Sequence, residues 1–217
     1  MRIALVMEWS QSEKNELVYQ TLREVASKHG HIVDNYGQYN IKDHRMTYNQ
    51  EGILIATLLN SGAADFAVTG CGTGQGAMTA ANAMPGVVCG LVSDPSDSYL
   101  FTQINNGNAI SIPFAKGFGW GGELNLRYIF EKLFEHPFGG GYPPEAAQSE
   151  ETNARILKEL KGASHRDIKD ILEHADRELV KASFGGPHTL ELFYQNCQNK
   201  DIADTVKKIM GSILKFV

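Results

Sequence analysis

The chain has little of what characterises secreted, membrane-bound or nucleic-acid-binding proteins. It contains 3 cysteines in 217 residues, an odd number without CxxC spacing, which disfavours a disulfide framework and favours a reducing compartment. Its formal net charge of −5 and the lack of a basic run argue against nucleic-acid or membrane-surface binding. No apolar stretch approaches the ~20 residues that span a bilayer. The beginning of the sequence also lacks a signal-peptide pattern, so we expect a cytoplasmic protein.

Metal-binding patterns and repeats are missing too. None of the 7 histidines lies in an HExxH motif or clusters with other potential ligands, so we expect no metal site. Internal repeats and low-complexity tracts are also absent, which excludes a solenoid and gives no sign of a disordered segment. The composition is that of a globular enzyme.

Short apolar runs alternate with amphipathic segments over the first 135 residues. The apolar runs predict strands at 3–7, 31–33, 66–69, 87–92 and 109–112. The amphipathic segments predict helices at 12–29, 50–61, about 75–83, 96–103 and 122–135. Strands separated by helices imply parallel βαβ units. We therefore predict an α/β fold, a doubly wound, Rossmann-like three-layer sandwich with a parallel sheet of about five strands.

A glycine- and proline-rich segment at 136–144 marks a change in composition. We place a boundary here, with a sheet domain at 1–145 and a helical extension at 146–217 that packs on the sheet domain or on a partner subunit. Ser164 and Asp167 have the spacing of a capping box, with Asp in place of Glu or Gln. Helices in the extension are predicted at 149–161, 164–180 and 201–214.

The segment at 68–82, VTGCGTGQGAMTAAN, is the most informative part of the chain. Alternate glycines follow an apolar run and precede a helix-forming segment, which predicts a strand, a tight loop and a helix start. Glycine brings backbone amides close to a ligand, and the free amides of a helix start favour negative charge. Cys71 lies within this loop, where a thiolate is stabilised and can act as a base or nucleophile.

The same glycines also fit a second function. Gly72-x-Gly74-x-x-Ala77 satisfies the dinucleotide fingerprint, and Asp94 and Asp97 follow about 20 residues later, where a ribose-binding acid is expected. An NAD-dependent oxidoreductase is therefore the alternative. Two features count against an oxidoreductase. The loop follows the third strand rather than the first, and a cysteine occupies the place where the pyrophosphate would approach most closely. A non-catalytic sugar-binding module is a third possibility, disfavoured by the reactive loop residues.

Two residues at the exit of the first strand are further site candidates. Glu8 is equally compatible with a site carboxylate and with a solvated turn residue. Trp9, like Trp120 after the fifth strand, fits the wall of a pocket, because ligands of doubly wound sheets bind at the carboxyl ends of the strands.

The glycine loop resembles the signature of the ribose-5-phosphate isomerase B and galactose-6-phosphate isomerase family. GCGTGQG at 70–76 and AANAMPG at 80–86 correspond to that signature. The segment at 30–37 resembles another family motif, Tyr48 falls at the position of an active-site tyrosine, and 105–108 matches part of an H-N-D-A-N segment. The resemblance covers roughly residues 1–135.

This resemblance implies aldose–ketose isomerisation through a cis-enediol(ate), without metal or cofactor, in a homodimer or homotetramer with sites near the subunit interface. Cys71 would be the base, and Thr73 would position or protonate an oxygen. Tyr48 and Asn105 would contact the sugar substrate. The amides of the anion hole would be those of Gly72, Gly74, Gln75 and Gly76.

Departures from the family pattern concern the substrate. The chain has Glu8 and Trp9 where the family has Asp-His, and Ile104 where the family has its ring-opening histidine. No arginine stands at the family's phosphate-binding positions, and Lys116 is the nearby cation. We therefore expect an open-chain keto-uronate, with a singly charged carboxylate, as substrate. A sugar phosphate bound through Lys116 or a residue of the extension is the alternative.

Overall fold

The computed structural model describes residues 1–211. In this part of the chain, five parallel strands form one sheet in the order β2-β1-β3-β5-β4, which confirms the predicted doubly wound α/β fold. The strands are β1 (Arg2–Leu5), β2 (Ile32–Asn35), β3 (Phe66–Cys71), β4 (Cys89–Leu91) and β5 (Ala109–Pro113).

Helices cover both faces of the sheet and form the tail of the chain. Those interleaved with the strands are α1 (Asn15–Lys28), α2 (Tyr48–Asn60), α3 (Gln75–Asn82), α4 (Pro95–Leu100) and α5 (Gly122–Leu133). Those of the tail are α6 (Ala147–Ser164), α7 (Ile168–His174), α8 (Arg177–Ser183), α9 (Thr189–Asn196) and α10 (Lys200–Met210).

The alternation of side chains along the strands separates two apolar layers. On β1, Ile3 and Leu5 face the layer formed with α1 and α5. Ala4 and Val6 face the opposite layer, formed with α2 and with α7 to α10. Because β3 lies at the centre of the sheet, its carboxyl end is flanked by neighbouring strands on both sides.

The tail helices pack on the sheet domain of the same chain. Ile168, Phe184, Phe193 and Val206 belong to the apolar cluster that includes Ile53 of α2. The tail thus completes one layer of the core.

Several predicted boundaries were wrong. The helix predicted at 164–180 is divided into α7 and α8, because Asp167 and Asp176 each cap a new helix start, accepting from the amides of Asp170 and Leu179. The capping box predicted at Ser164 therefore does not form, since Asp167 is itself the capping residue. Helix α9 was missed. The helix predicted at 201–214 extends beyond the described residues.

Two helices near the site also differ from their predictions. The segment Trp9–Lys14 forms a 3-10 helix capped by the carboxylate of Glu8, so α1 begins only at Asn15. Helix α4 ends at Leu100 and continues as a π-helical turn, Phe101–Asn105.

Candidate active site

Cys71 is the last residue of β3 and lies where the strand enters the glycine loop. Its side chain is largely enclosed, with a residue exposure of 8 %. The main chain is fixed by the amide of Phe114, which donates to the carbonyl of Cys71 at 2.9 Å. The thiol is thus held on the sheet, at the edge where ligands of this fold bind.

The loop that follows Cys71 requires glycine at its turn. Gly74 has φ +72°, and a Cβ there would lie 2.6 Å from Cδ1 of Leu91 and 3.0 Å from the amide nitrogen of Pro113. The hydroxyl of Ser111 donates to the carbonyl of Gly74 at 2.6 Å. These contacts hold the loop against β5.

The loop amides divide into engaged and free groups. The amide of Gly74 donates to the carbonyl of Cys71 at 3.3 Å, and that of Gln75 donates to Oγ1 of Thr73 at 3.3 Å. Within residues 1–211, the amides of Gly72, Thr73 and Gly76 have no protein acceptor. The amide of Ala77, in the first turn of α3, also has no acceptor there, so four amides are available to an anion. Gly72 and Gly76 of the predicted anion hole are among them, whereas the amides of Gly74 and Gln75 are engaged.

Glu8 lies beside Cys71. Leu5 of β1 pairs with Val68 of β3. Continuing this register three residues further places Glu8 opposite Cys71, with the two backbones about 4.8 Å apart. The amide of Glu8 donates to the carbonyl of Gly70 at 3.4 Å, which supports that alignment. One carboxylate oxygen of Glu8, Oε2, accepts from the amide of Ser10.

Trp9 and Tyr48 lie on one side of the glycine loop. The amide of Trp9 donates to the carbonyl of Met46 at 2.9 Å, which ties the segment before α2 to the end of β1. The ring of Tyr48 covers Gly76, because a Cβ there would lie 3.2 Å from Cδ1 of the ring. This ring lies over the start of α3, where the pyrophosphate of a dinucleotide would have to approach.

Thr73 and Lys116 line a cleft of about 300 Å³ on the α5 side of the loop. The amide of Lys116 donates to the carbonyl of Gly72 at 2.8 Å, so its side chain starts next to the glycine loop. Lys14 lies near this cleft, with Nζ 5.5 Å from the ring centroid of Phe118. Trp120, on the loop that borders the cleft, is fully exposed and forms no wall within the single chain.

Asn105 is not brought to this edge. It precedes β5, whose first residue, Ala109, pairs with Ala67, whereas Cys71 pairs with Pro113 at the far end of the strand. Four residues of parallel strand span about 13 Å. Asn105 therefore lies at the opposite edge of the sheet, and within one chain it does not reach Cys71.

Glu51, in the first turns of α2, is a site residue that the sequence analysis missed. It is fully buried, and its Oε1 accepts from the hydroxyl of Thr69 at 3.0 Å, while Oε2 has no hydrogen-bond partner among the described residues. Burial holds the pKa of Glu51 well above its ordinary value, and the charges of Glu8 and Cys71 raise it further. A carboxyl whose neutral form is favoured by burial thus lies behind the two site residues, where a second buried charge would oppose a thiolate.

Arg45 and Gln11 were also missed, because they are distant from the glycine loop in sequence. The guanidinium Cζ of Arg45 lies 5.1 Å from the ring centroid of Trp9. The side-chain Nε2 of Gln11 lies 3.7 Å from the position that a Cβ on Gly72 would occupy. The Gln11 side chain therefore approaches the glycine loop, and that of Arg45 stacks on Trp9.

Comparison with known proteins identifies the family. A family model described as ribose/galactose isomerase matches residues 3–141. The chain belongs to this family. Its members interconvert aldoses and ketoses, so the protein is a sugar isomerase, as the resemblance implied. A second model, described as ribose-5-phosphate isomerase, matches residues 163–209, within the tail of the isomerase.

Two solved structures resemble the isomerase over almost its whole length. A 4-deoxy-L-threo-5-hexosulose-uronate ketol-isomerase complexed with a tartrate is 53% identical, with a TM-score of 0.95, over 97% of this chain and 100% of that one. The ribose-5-phosphate isomerase LacAB_rpiB from Vibrio parahaemolyticus is 52% identical, with a TM-score of 0.94, over 96% and 99%. The names of these two relatives point to different substrates.

A more distant relative is the galactose-6-phosphate isomerase subunit LacB of Clostridium acetobutylicum. It is 25% identical over 178 residues, which cover 82% of this chain and 87% of the relative. In the described part of the isomerase, no helix has the length and apolarity needed to cross a membrane. Residues 1–211 also contain no group of three or more His, Cys, Asp or Glu placed to hold a metal ion.

Proposed function

We propose that the isomerase interconverts an open-chain keto-uronate and its positional isomer by proton transfer through Cys71. The observation that carries this proposal is the position of the Cys71 thiol, at the end of β3 and beside the free amides of Gly72, Thr73 and Gly76. A thiolate next to such donors is a competent base, and the donors stabilise the oxyanion that proton removal creates.

The reaction moves one carbon-bound and one oxygen-bound proton. The thiolate of Cys71 removes the proton from C2 of an aldose, the electron pair of that bond forms the C1–C2 double bond, and O1 takes the negative charge. The free loop amides hold this oxyanion. The proton on O2 then passes to O1, a carbonyl forms at C2, and the thiol of Cys71 returns its proton to C1.

Glu8 is suited to carry the proton between the two oxygens. It replaces the acid–base function that the sequence lacks at Ile104, and continued strand register puts it next to Cys71. Its Oε2 is held by Ser10, while Oε1 accepts no hydrogen bond from residues 1–211. Proton transfer by a positioned carboxyl group typically contributes about 10²–10⁴-fold to the rate.

The choice of a uronate rests on the charges at the site and on one relative. Phosphate sites commonly use arginine forks, whereas the cleft next to Thr73 offers Lys116, an exposed lysine. The relative that is 53% identical is named as an isomerase of a hexosulose-uronate. An open-chain substrate also needs no ring-opening histidine.

A sugar phosphate is the second candidate. The relative that is 52% identical is named as a ribose-5-phosphate isomerase. Lys116, with Lys14 nearby, could neutralise a phosphate in the cleft, since lysine binds phosphate as a point charge.

We also propose that the working enzyme is a homodimer or a higher homo-oligomer. Asn105 lies at the opposite edge of the sheet from Cys71, so it can contact substrate only if a second copy of the chain presents it. This proposal would reconcile the predicted role of Asn105 with its position.

The substrate and the chemistry can be tested together. Purified protein is incubated with 4-deoxy-L-threo-5-hexosulose-uronate, ribose 5-phosphate and galactose 6-phosphate, and turnover is followed by proton NMR in D2O. We expect efficient turnover of the uronate, with solvent deuterium at C1 of the product, because the Cys71 thiol exchanges with solvent. Efficient turnover of a sugar phosphate and none of the uronate would refute the substrate. Transfer without any solvent deuterium would instead support a hydride shift.

A further inference from the structure

Arg45 differs from the other arginines of the chain in having no polar partner. Of the arginines in residues 1–211, the other six each donate a hydrogen bond to a side chain or a carbonyl, from Arg2 to Arg177. The guanidinium of Arg45 donates to none of the described residues. It is exposed to solvent and is held only by stacking on Trp9, at 5.1 Å from the ring centroid.

The aromatic residues on either side of this unpaired cation are anchored by their own contacts. Trp9 bonds through its amide to the carbonyl of Met46, the residue after Arg45, at 2.9 Å, and its indole Nε1 donates to the carbonyl of Ile41 at 3.3 Å. Three residues after Arg45, the ring of Tyr48 lies against Gly76 of the loop. The segment 45–48 therefore forms a rim that runs from Trp9 to the glycine loop.

We infer that Arg45, oriented by Trp9, is the residue that binds the carboxylate of the substrate. This inference rests on the proposed uronate function, and it identifies the residue that binds the carboxylate end of that substrate. A guanidinium has donors in a planar fork that matches a carboxylate, and the stacking contact orients the fork in advance. A single fork without a second arginine neutralises one negative charge, which suits a carboxylate better than a phosphate dianion.

The length of the substrate agrees with this assignment. In a six-carbon acid, four carbon–carbon bonds of about 1.5 Å each separate C2 from the carboxylate carbon, an extended span of about 5 Å. Glu8 lies about one strand spacing, roughly 4.8 Å, from Cys71, and Trp9 follows it directly. A substrate with C2 at the Cys71 thiol therefore brings its carboxylate to the neighbourhood of Glu8 and Trp9, the residue on whose ring Arg45 stacks.

The test compares Arg45→Met and Arg45→Lys with wild type, on the keto-uronate and on its C6 amide, which lacks the negative charge. A lost charged hydrogen bond corresponds to about 10- to 100-fold in affinity. We therefore expect Arg45→Met to raise KM for the uronate about 10- to 100-fold, with a smaller change in kcat. In wild type, KM for the uncharged amide should exceed KM for the uronate by the same factor. Arg45→Met should not raise KM for the amide any further. The KM of Arg45→Lys for the uronate should lie between those of wild type and Arg45→Met.

Arg23→Met is the matched control. Arg23 also stacks on an aromatic ring, at 5.4 Å from the centroid of Tyr19, but on α1. We expect its kinetics to equal those of wild type. If wild type turns over the uronate and Arg45→Met leaves its KM unchanged, the carboxylate subsite is refuted while the proposed function stands. If wild type does not turn over the uronate, the proposed substrate fails, and the subsite fails with it.

Discussion

The two edges of the sheet give a cysteine side chain opposite surroundings. Cys89 begins β4 at the amino edge, where its amide and carbonyl are both bonded to the side chain of Asn82, at 2.9 and 2.8 Å. Burial raises the pKa of Cys89 to about 12, so its thiol stays protonated. Cys71 ends β3 at the carboxyl edge, where the chain leaves the sheet through a loop with free amides.

This difference shows why residue type alone does not identify a reactive thiol. At the amino edge, apolar packing encloses the thiol of Cys89, and its backbone amide and carbonyl are paired with Asn82. At the carboxyl edge, the glycine loop and the start of α3 leave amides unpaired, so donors for an anion lie beside Cys71. The site therefore depends on which end of a strand the cysteine occupies.

Replacing each cysteine by serine should give the largest difference between the two edges of the sheet. Cys71→Ser is expected to lower kcat/KM by at least about 10²–10⁴-fold, because a hydroxyl is too weak a base at neutral pH. Cys89→Ser is the matched control, and its kcat/KM should remain that of wild type. Steady-state kinetics on the best substrate of the panel measure both. Normal turnover by Cys71→Ser would exclude the proposed base.

Alkylation should distinguish the two thiols directly. At pH 8, iodoacetamide is expected to modify Cys71 at least about 100-fold faster than Cys89, because only the thiolate reacts. Peptide mass spectrometry over time gives both rates. Substrate should protect Cys71, and the reverse order of labelling would contradict the comparison.

Adding one methyl group to the glycine loop should destabilise the protein. Gly74→Ala is expected to cost about 2–4 kcal/mol of unfolding free energy, from the left-handed backbone and the contact with Leu91. Gly119→Ala is the control, since its Cβ would meet no atom within 4 Å. Urea unfolding measures the free energies, and equal values for the two variants would show that the loop tolerates a side chain.

Removing the buried carboxyl should change how the free energy of unfolding depends on pH. The pKa of Glu51 is raised above 4.5 in the folded protein, so folding takes up a proton and the free energy of unfolding falls as the pH rises above that value. Glu51→Gln removes this dependence, so its stability relative to wild type should increase with pH, by up to about 1.4 kcal/mol per pH unit.

Urea unfolding from pH 5 to pH 8 tests the sign of the effect. Glu145→Gln, at an exposed position, should keep the pH dependence of wild type. A difference between Glu51→Gln and wild type that stays constant with pH would mean that Glu51 is ionised in the folded state.

Local patterns were sufficient for the sheet fold and for the turn of the glycine loop. Alternation of apolar and amphipathic segments predicted each strand, and the spacing of Gly70 to Gly76 predicted the turn after β3. The tail was predicted less well, because short helices divided by caps such as Asp176 resemble one long amphipathic segment. Glu51 was missed because a carboxyl in the first turn of α2 is also what an ordinary exposed helix start contains.

The sequence by itself determined that a thiol follows a buried strand and precedes a helix, because glycine spacing and helix propensity are local properties. Only the tertiary structure decided what surrounds that thiol. Strand order and register bring Glu8 beside Cys71, place Glu51 behind it, and carry Asn105 to the other edge. These relations join residues far apart in the chain, and they depend on how the strands align rather than on any single segment.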